Sequence, residues 1–204
     1  MSTKKQRRSD NFKDRKKKKS TRIAYLVAII GGVVILLVLF FVILFDALFP
    51  MEDIKKKEKK ITEIYFSDSQ ERFLVGEKRY INKEEDAAGQ AREVVKALLD
   101  GSKTGNVSTF PAHVNLRDVK VGKDGTAEVN FSSDLTKLHP GGSAAEMATI
   151  YSLTNSLTTN VPEIKAVKIL VEGKALSSIK GHISAMNSFK PDPDLYAPVK
   201  GENN

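Results

Sequence analysis

The fold is decided by residues 143–171, which read SAAEMATIYSLTNSLTTNVPEIKAVKILV. Apolar side chains recur at three and four residue intervals in the first part, which predicts an amphipathic helix running to about Thr159. Pro162 cannot continue a helix, and the aliphatic run from Ile164 to Val171 that follows it predicts a strand with one buried face. The core stripe of the predicted helix consists of Met147, Ile150, Tyr151, Leu153 and Leu157.

The start of this helix carries the spacing of a capping box. The Ser143 hydroxyl can accept a hydrogen bond from the amide of Glu146, and the Glu146 carboxylate can reach back to the amide of Ser143. We therefore expect the helix to begin at Ser143 and Glu146 to have a capping role.

The helix is unusual because residues 147–162 contain no charged side chain. A helix face that meets water normally carries Lys and Glu, whereas a small, uncharged face lets another surface approach without desolvating ions. One hypothesis is that this face docks a partner protein or a second copy of the chain. The other is that a loop or the C-terminal tail of the same chain covers it. The candidate interaction face consists of Thr149, Ser152, Asn155, Ser156 and Thr159.

Four further strands are predicted before the helix. Asp124 and Gly125 separate two extended runs, residues 114–121 and 126–131, and the Asp-Gly pair favours a tight hairpin turn. Residues 61–66 and 73–81 predict an earlier hairpin.

A first helix is predicted between the two hairpins. Asn82, with Glu85 three residues later, is expected to cap its start, and Gly101 is expected to end it. The order of elements is therefore β-β-α-β-β-α-β. This predicts an α+β fold: a single two-layer domain over residues 61–187, with two helices on one face of one sheet. Residues 188–204, rich in proline, are expected to form an irregular tail.

The N-terminal part of the chain predicts one transmembrane helix. Residues 23–45 are uncharged and almost wholly apolar, and as a helix they would span about 34 Å, enough for a hydrocarbon core of about 30 Å. The residues after Phe45 offer no small-x-small cleavage site, so we interpret the segment as a retained anchor. Residues 46–60 are interpreted as a charged linker.

Charge is distributed very unevenly along the chain. The whole chain has 33 Lys+Arg and 25 Asp+Glu, but residues 1–22 alone hold 11 Lys/Arg against 2 Asp/Glu, and residues 61–204 hold 17 against 19. Because Lys and Arg resist translocation, the basic tail of residues 1–22 is expected in the cytoplasm and the domain outside it, on a single-pass protein of the cytoplasmic membrane. Membrane topology and lipid contact then explain the positive charge of residues 1–22, so we expect no nucleic-acid partner.

The sequence carries little that suggests catalysis. It has no cysteine, and its three histidines, His113, His139 and His182, lack a second histidine at the spacing of metal ligands. We therefore predict no catalytic, cofactor-binding or metal-binding residues and no cofactor. An enzyme acting on the cell wall is the alternative, and it would need a centre built from a histidine or a carboxylate such as Asp134.

Residues 145–173, AEMATIYSLTNSLTTNVPEIKAVKILVEG, together with Gly181-His182-Ile183, resemble the GerMN domain of sporulation and spore-germination proteins. The resemblance covers about residues 61–187. It implies a compact α+β domain of the ring-building type, held outside the cytoplasmic membrane on lipoproteins or membrane-anchored chains. It also implies a role without known catalysis, in contacts with an envelope protein partner or in self-association. This chain has no lipoprotein cysteine and carries the apolar segment of residues 23–45 instead.

Overall fold

The computed structural model describes residues 25–45, 48 and 58–198. The chain divides into two compact units, Met1–Lys55 and Lys56–Asn204. In the first unit, helix α1 spans Tyr25–Phe45, with a mean hydropathy of 3.4 and no buried residue, and is long and apolar enough to cross a membrane. It fits the predicted anchor, whose first two residues lie outside the described part, as do the basic tail and most of the linker.

The second unit contains all the other helices and strands of the described residues. Their bounds are β1 Lys59–Ser67, β2 Leu74–Asn82, α2 Ala87–Leu99, β3 Leu116–Val121, β4 Thr126–Phe131, α3 Asp134–Leu138, α4 Ser143–Asn160, β5 Ala166–Val171, β6 Lys174–Ala175 and a short 3-10 helix Pro193–Leu195. The α+β class is confirmed. The two residues that start β1 lie within the predicted linker, and the predicted order of elements lacks α3 and β6.

The strands form two sheets, which corrects the prediction of one. Strands β1 and β2 pair antiparallel as a separate hairpin, and the second sheet has the order β3-β4-β5-β6. The β3–β4 pair is antiparallel, and β4–β5 is parallel, with Val129 opposite Ile169. Helices α2 and α4 pack against each other and against strands of both sheets. The hydrophobic core lies around these two helices, with Phe66, Leu98, Phe131, Ile150 and Leu153 almost wholly buried.

Local sequence signals explain several boundaries. Asp124 Oδ1 accepts the amide of Thr126 at 3.0 Å, and Gly125 has a φ of 82°, as the predicted turn requires. The Gly101 amide donates to the carbonyl of Leu98 at 3.1 Å and closes α2. The start of α2 differs from the prediction, because Asp86 rather than Asn82 caps it.

Residues 189–197 pack on the domain instead of forming an irregular tail, and we call them the C-terminal strap. Phe189 and Val167 exchange two backbone hydrogen bonds of 2.8 Å on the edge of β5 away from β4, where β6 covers only Leu170 and Val171. The ring of Tyr196 stacks on Tyr65 with centroids 4.8 Å apart. The boundary expected at residue 187 therefore falls within the packed domain.

Candidate functional site

The candidate interaction face of α4 lies inside the domain. Thr149, Ser152, Asn155 and Ser156 are fully buried, and only Thr159 is exposed. This corrects the hypothesis of a docking face, because side chains without accessible surface cannot meet a partner. The structure agrees instead with the alternative hypothesis, in which other segments of the same chain cover this face. Three segments provide this cover: strand β1, the loop at residue 109 and the C-terminal strap.

The C-terminal half of α4 takes the place of a strand beside β1. Ser156 Oγ accepts the amide of Tyr65 at 2.9 Å, and Asn160 Oδ1 accepts the amide of Glu63 at 3.0 Å. Asn160 Nδ2 also donates to the carbonyl of Glu63 at 2.6 Å. A buried strand edge must satisfy its backbone groups, and short uncharged side chains do this here. This explains the absence of Lys and Glu, and it explains why the hairpin remains a separate sheet.

We expect Asn160→Ala to lower the free energy of unfolding by about 2 kcal/mol, because it leaves two backbone groups of Glu63 unpaired. Denaturant unfolding of the full chain in detergent measures the effect. Thr158→Ala is the matched control, since the Thr158 hydroxyl bonds only carbonyls of its own helix and its loss should cost less than about 0.5 kcal/mol. Equal losses in the two variants would contradict the assigned role of Asn160.

Hydrogen bonds connect the N-terminal half of α4 to the buried His139, which precedes the helix, and to the loop at residue 109. The Gly141 amide donates to His139 Nδ1 at 3.0 Å, so the ring proton sits on Nε2, which donates to Thr149 Oγ1 at 3.0 Å. The Thr149 hydroxyl in turn donates to the carbonyl of Thr109. Burial lowers the pKa of His139, which favours the neutral ring that this chain of hydrogen bonds needs. Both ring nitrogens of His139 are therefore used in structural hydrogen bonds.

The middle of α4 holds the C-terminal strap. Asn155 Nδ2 donates to the carbonyl of Asp192, and the Asp192 amide donates to Asn155 Oδ1, both at 3.1 Å. Beside it, burial raises the pKa of Tyr65, on which Tyr196 of the strap stacks, to about 12. Asn155, one of the five predicted face residues, thus fixes the strap.

Glu146 does not form the predicted capping box. The N-cap residue of α4 is Gly142, which has no side chain to cap the helix, and its amide lies 3.3 Å from His182 Nδ1. The fully buried Glu146 carboxylate accepts the amides of His182 and Ile183, each at 3.2 Å. His182 Nδ1 lies 2.8 Å from the same carboxylate. Burial opposes ionisation of Glu146, but the side chain and amide of His182 and neighbouring amides outweigh it and lower the pKa. Glu146 is a charged anchor for the loop that precedes the strap.

The candidate Asp134 and a second carboxylate, Asp68, lie apart from this network. Asp134 Oδ2 accepts the hydroxyl of Ser132 at 3.0 Å, and Asp68 accepts the amides of Arg72 and Phe73 in the turn between β1 and β2. Among the described residues, no group of three His, Asp or Glu side chains is placed to hold a metal ion. Every buried side-chain nitrogen and oxygen in the same residues has a hydrogen-bond partner.

A shallow groove of about 290 Å³ runs beside the start of α4. His139 is its only titratable side chain apart from Glu71, and both ring nitrogens of His139 are already bonded. The groove therefore offers mainly van der Waals contact rather than acid or base chemistry. Its other walls include Phe110, Pro111, Pro140, Ala145 and Ala148.

Solved structures that match this chain include proteins from Bacillus subtilis and Clostridium perfringens. The first GerMN domain of the sporulation protein GerM from Bacillus subtilis is 23% identical, with a TM-score of 0.51, over 66% of this chain and 98% of that chain. The tandem GerMN domains of the same protein match at 23% identity and a TM-score of 0.51, over 64% of this chain and 46% of that one. A putative lipoprotein from Clostridium perfringens is 20% identical over 68% of this chain and 93% of that one, with a TM-score of 0.48. A comparison with curated proteins gives no match.

The GerM matches show the fold, since at this level of identity they carry no functional residue across. The family is shown by the sequence itself. The model of the Germane family, described as sporulation and spore germination, matches residues 63–177, more than half of the chain and nearly all of the region from β1 to β6. The chain therefore belongs to the Germane family of sporulation and spore germination domains.

Proposed function

We propose that the protein is a membrane-anchored, extracytoplasmic assembly module that acts in sporulation or germination by binding other proteins, without catalysis. The observation that carries the proposal is the combination of a domain of this family with one exposed apolar helix of 21 residues ahead of it. In this view α1 crosses the cytoplasmic membrane and holds the domain on the outer side.

Charge supports this orientation. The 11 Lys/Arg of residues 1–22 precede the helix directly, against five lysines in residues 55–60 after it. Hydrogen bonding supports the non-catalytic role, because His139 and Glu146, which are the buried titratable groups of α4 and its approach, already have structural partners.

Labelling of single cysteines tests the orientation, since the chain has no cysteine of its own. Met186 is 69% exposed, so Met186→Cys should react with a membrane-impermeant maleimide in intact cells. Ser9→Cys, in the basic tail, should react only after the membrane is permeabilised. The reverse pattern would overturn the proposed topology, and labelling of both positions only after permeabilisation would place the domain in the cytoplasm.

The non-catalytic role is tested in a deletion strain that carries the full chain. We expect a variant with His113→Ala, Asp134→Asn and His182→Gln, present at the wild-type level, to support spore formation and germination within about twofold of wild type. These substitutions remove two histidines and the carboxylate that were considered for an envelope enzyme. His139 and Glu146 are left in place because both are buried and already hydrogen bonded. A loss of more than about tenfold in a folded variant would favour the enzyme.

A further inference from the structure

The outer surface of the β1–β2 hairpin exposes apolar side chains that the domain does not cover. Ile61 is 56% exposed and Tyr80 is 70% exposed, and the two lie directly opposite each other on neighbouring strands. Thr62 and Ile64, on the other side of β1, are buried against the domain. We call Ile61, Glu63, Lys78 and Tyr80 the hairpin face.

The hairpin face also carries one unpaired charge of each sign. Glu63 and Lys78 form the next cross-strand pair, but neither belongs to an ion pair with any residue that the structure describes. The Glu63 side chain leans over Gly76, where a Cβ atom would collide with its carboxylate. The absence of a side chain at Gly76 therefore leaves Glu63 free to lie along the sheet surface.

These four residues make the face complementary to itself. Each row joins two unlike side chains that attract each other: an aliphatic and an aromatic residue in one row, an anion and a cation in the other. A second copy turned over about a two-fold axis that runs between the strands brings Ile61 onto Tyr80 of the other copy and Glu63 onto its Lys78. Such a two-fold contact repeats every interaction twice, as isologous interfaces do.

We propose that the hairpin face binds the same face of a second copy of this chain. The proposal rests on the proposed membrane anchoring, because two rows of side chains form a small interface, below the roughly 1,000 Å² of a stable soluble dimer. Two anchored copies share one membrane surface, which raises their effective concentration and lets a small contact form.

A lipid surface is the other class of partner that an exposed tyrosine can have on a membrane-anchored chain. The same end of the hairpin carries exposed Glu58, Glu85 and Asp86 beside exposed Lys59 and Lys83, and Glu58 is paired with Lys83 at 2.9 Å. This mixed charge offers no basic patch to anionic headgroups, so a protein surface with its own balanced charges is favoured.

Disulfide crosslinking of the full chain in membranes tests the contact. We expect co-expressed Ile61→Cys and Tyr80→Cys chains, distinguished by tags, to form a mixed disulfide at least about fivefold more than a pair of chains with Leu138→Cys and Met186→Cys. The control positions are also exposed, at 52% and 69%. A yield equal to the control, or a crosslink from residue 80 to a different protein, would overturn the proposal.

A charge swap tests the register of the contact. Glu63→Lys alone and Lys78→Glu alone place like charges together and should each lower the mixed disulfide about fivefold. A chain with both substitutions restores opposite charges and should recover the wild-type yield with the same net charge. Failure of the double variant to recover the wild-type yield would overturn self-association in favour of no contact. A mixed-disulfide yield that changes with the anionic lipid content of the membrane, but not with the charge swap, would overturn it in favour of a lipid contact. Cysteine labelling at Met186 and the deletion strain would still report on the proposed function separately.

Discussion

Replacing Glu146 with Ala is expected to lower the free energy of unfolding by about 3 kcal/mol at pH 7. Glu146 is fully buried and holds two backbone amides and the ring of His182. Its loss leaves these donors without an acceptor and opens a cavity below the loop of residues 180–183. Denaturant unfolding of the full chain in detergent measures the change. Glu163→Ala, at an exposed position, is the matched control and should cost less than about 0.5 kcal/mol.

The pH dependence identifies the charge of Glu146 as the source of this effect. The pKa of Glu146 is lower in the folded state than in the unfolded state, so its contribution is complete above the unfolded pKa of 4.5 and fades as the pH falls through the folded pKa. The gap between wild type and Glu146→Ala should therefore narrow below about pH 4.5. A gap that stays constant to low pH would show that packing, rather than the ionised carboxylate, stabilises the loop.

Elements that depend on local signals could be predicted from the sequence. The turn at Gly125, the end of α2 at Gly101 and the length of α4 each follow from a residue within a few positions of the feature. The strand β5 followed from the alternation of Val167, Ile169 and Val171. The α+β class required only the order of these elements.

The role of the α4 polar face could not be derived in the same way, because its partners are far away in the sequence. Asn160 bonds Glu63, which is 97 residues earlier, and Glu146 bonds His182, which is 36 residues later. Spacing alone suggests a local role for Glu146, in a capping box with Ser143 three residues earlier. The sequence did contain a signal, since Thr149, Ser152, Ser156 and Asn160 recur at three and four residue intervals. Short polar side chains in such a stripe indicate a strand edge or a loop beside the helix as readily as a partner protein.

The hairpin face could not be derived from the sequence for a related reason. Alternation places Ile61 with Glu63 and Tyr80 with Lys78, but which side of the hairpin meets α2 is decided by tertiary structure. The unpaired state of Glu63 and Lys78 also depends on tertiary structure, because it requires that no other element approach them.

Glu77→Gln is expected to lower the free energy of unfolding by about 3 kcal/mol at neutral pH. Glu77 is 4% exposed, and its carboxylate accepts the hydroxyls of Ser102 at 2.7 Å and Thr104 at 2.8 Å and the amide of Lys103 at 2.9 Å. Burial opposes ionisation, but these bonds and the Arg79 guanidinium outweigh it and lower the pKa to about 2. The carboxylate thus ties the loop after α2 to strand β2, and Gln, which carries an NH₂ group in place of one oxygen, cannot accept all four donors.

The loss in Glu77→Gln should depend on pH over a window that the two pKa values define. Above the unfolded value of 4.5 the full contribution is present, and it disappears as the pH falls from there towards 2. Denaturant unfolding at a series of pH values measures the loss, and hydrogen exchange at residues 102–106 should rise in the variant at neutral pH. Glu71→Gln, in the exposed turn between β1 and β2, provides the matched control. If Glu77→Gln unfolds like this control, the carboxylate does not hold the loop. The loops of residues 102–106 and 180–183 are each held by one buried carboxylate that accepts backbone amides and side-chain donors. If the loss appears but hydrogen exchange rises first at residues 180–183, the loop anchored by Glu146 is the less stable of the two.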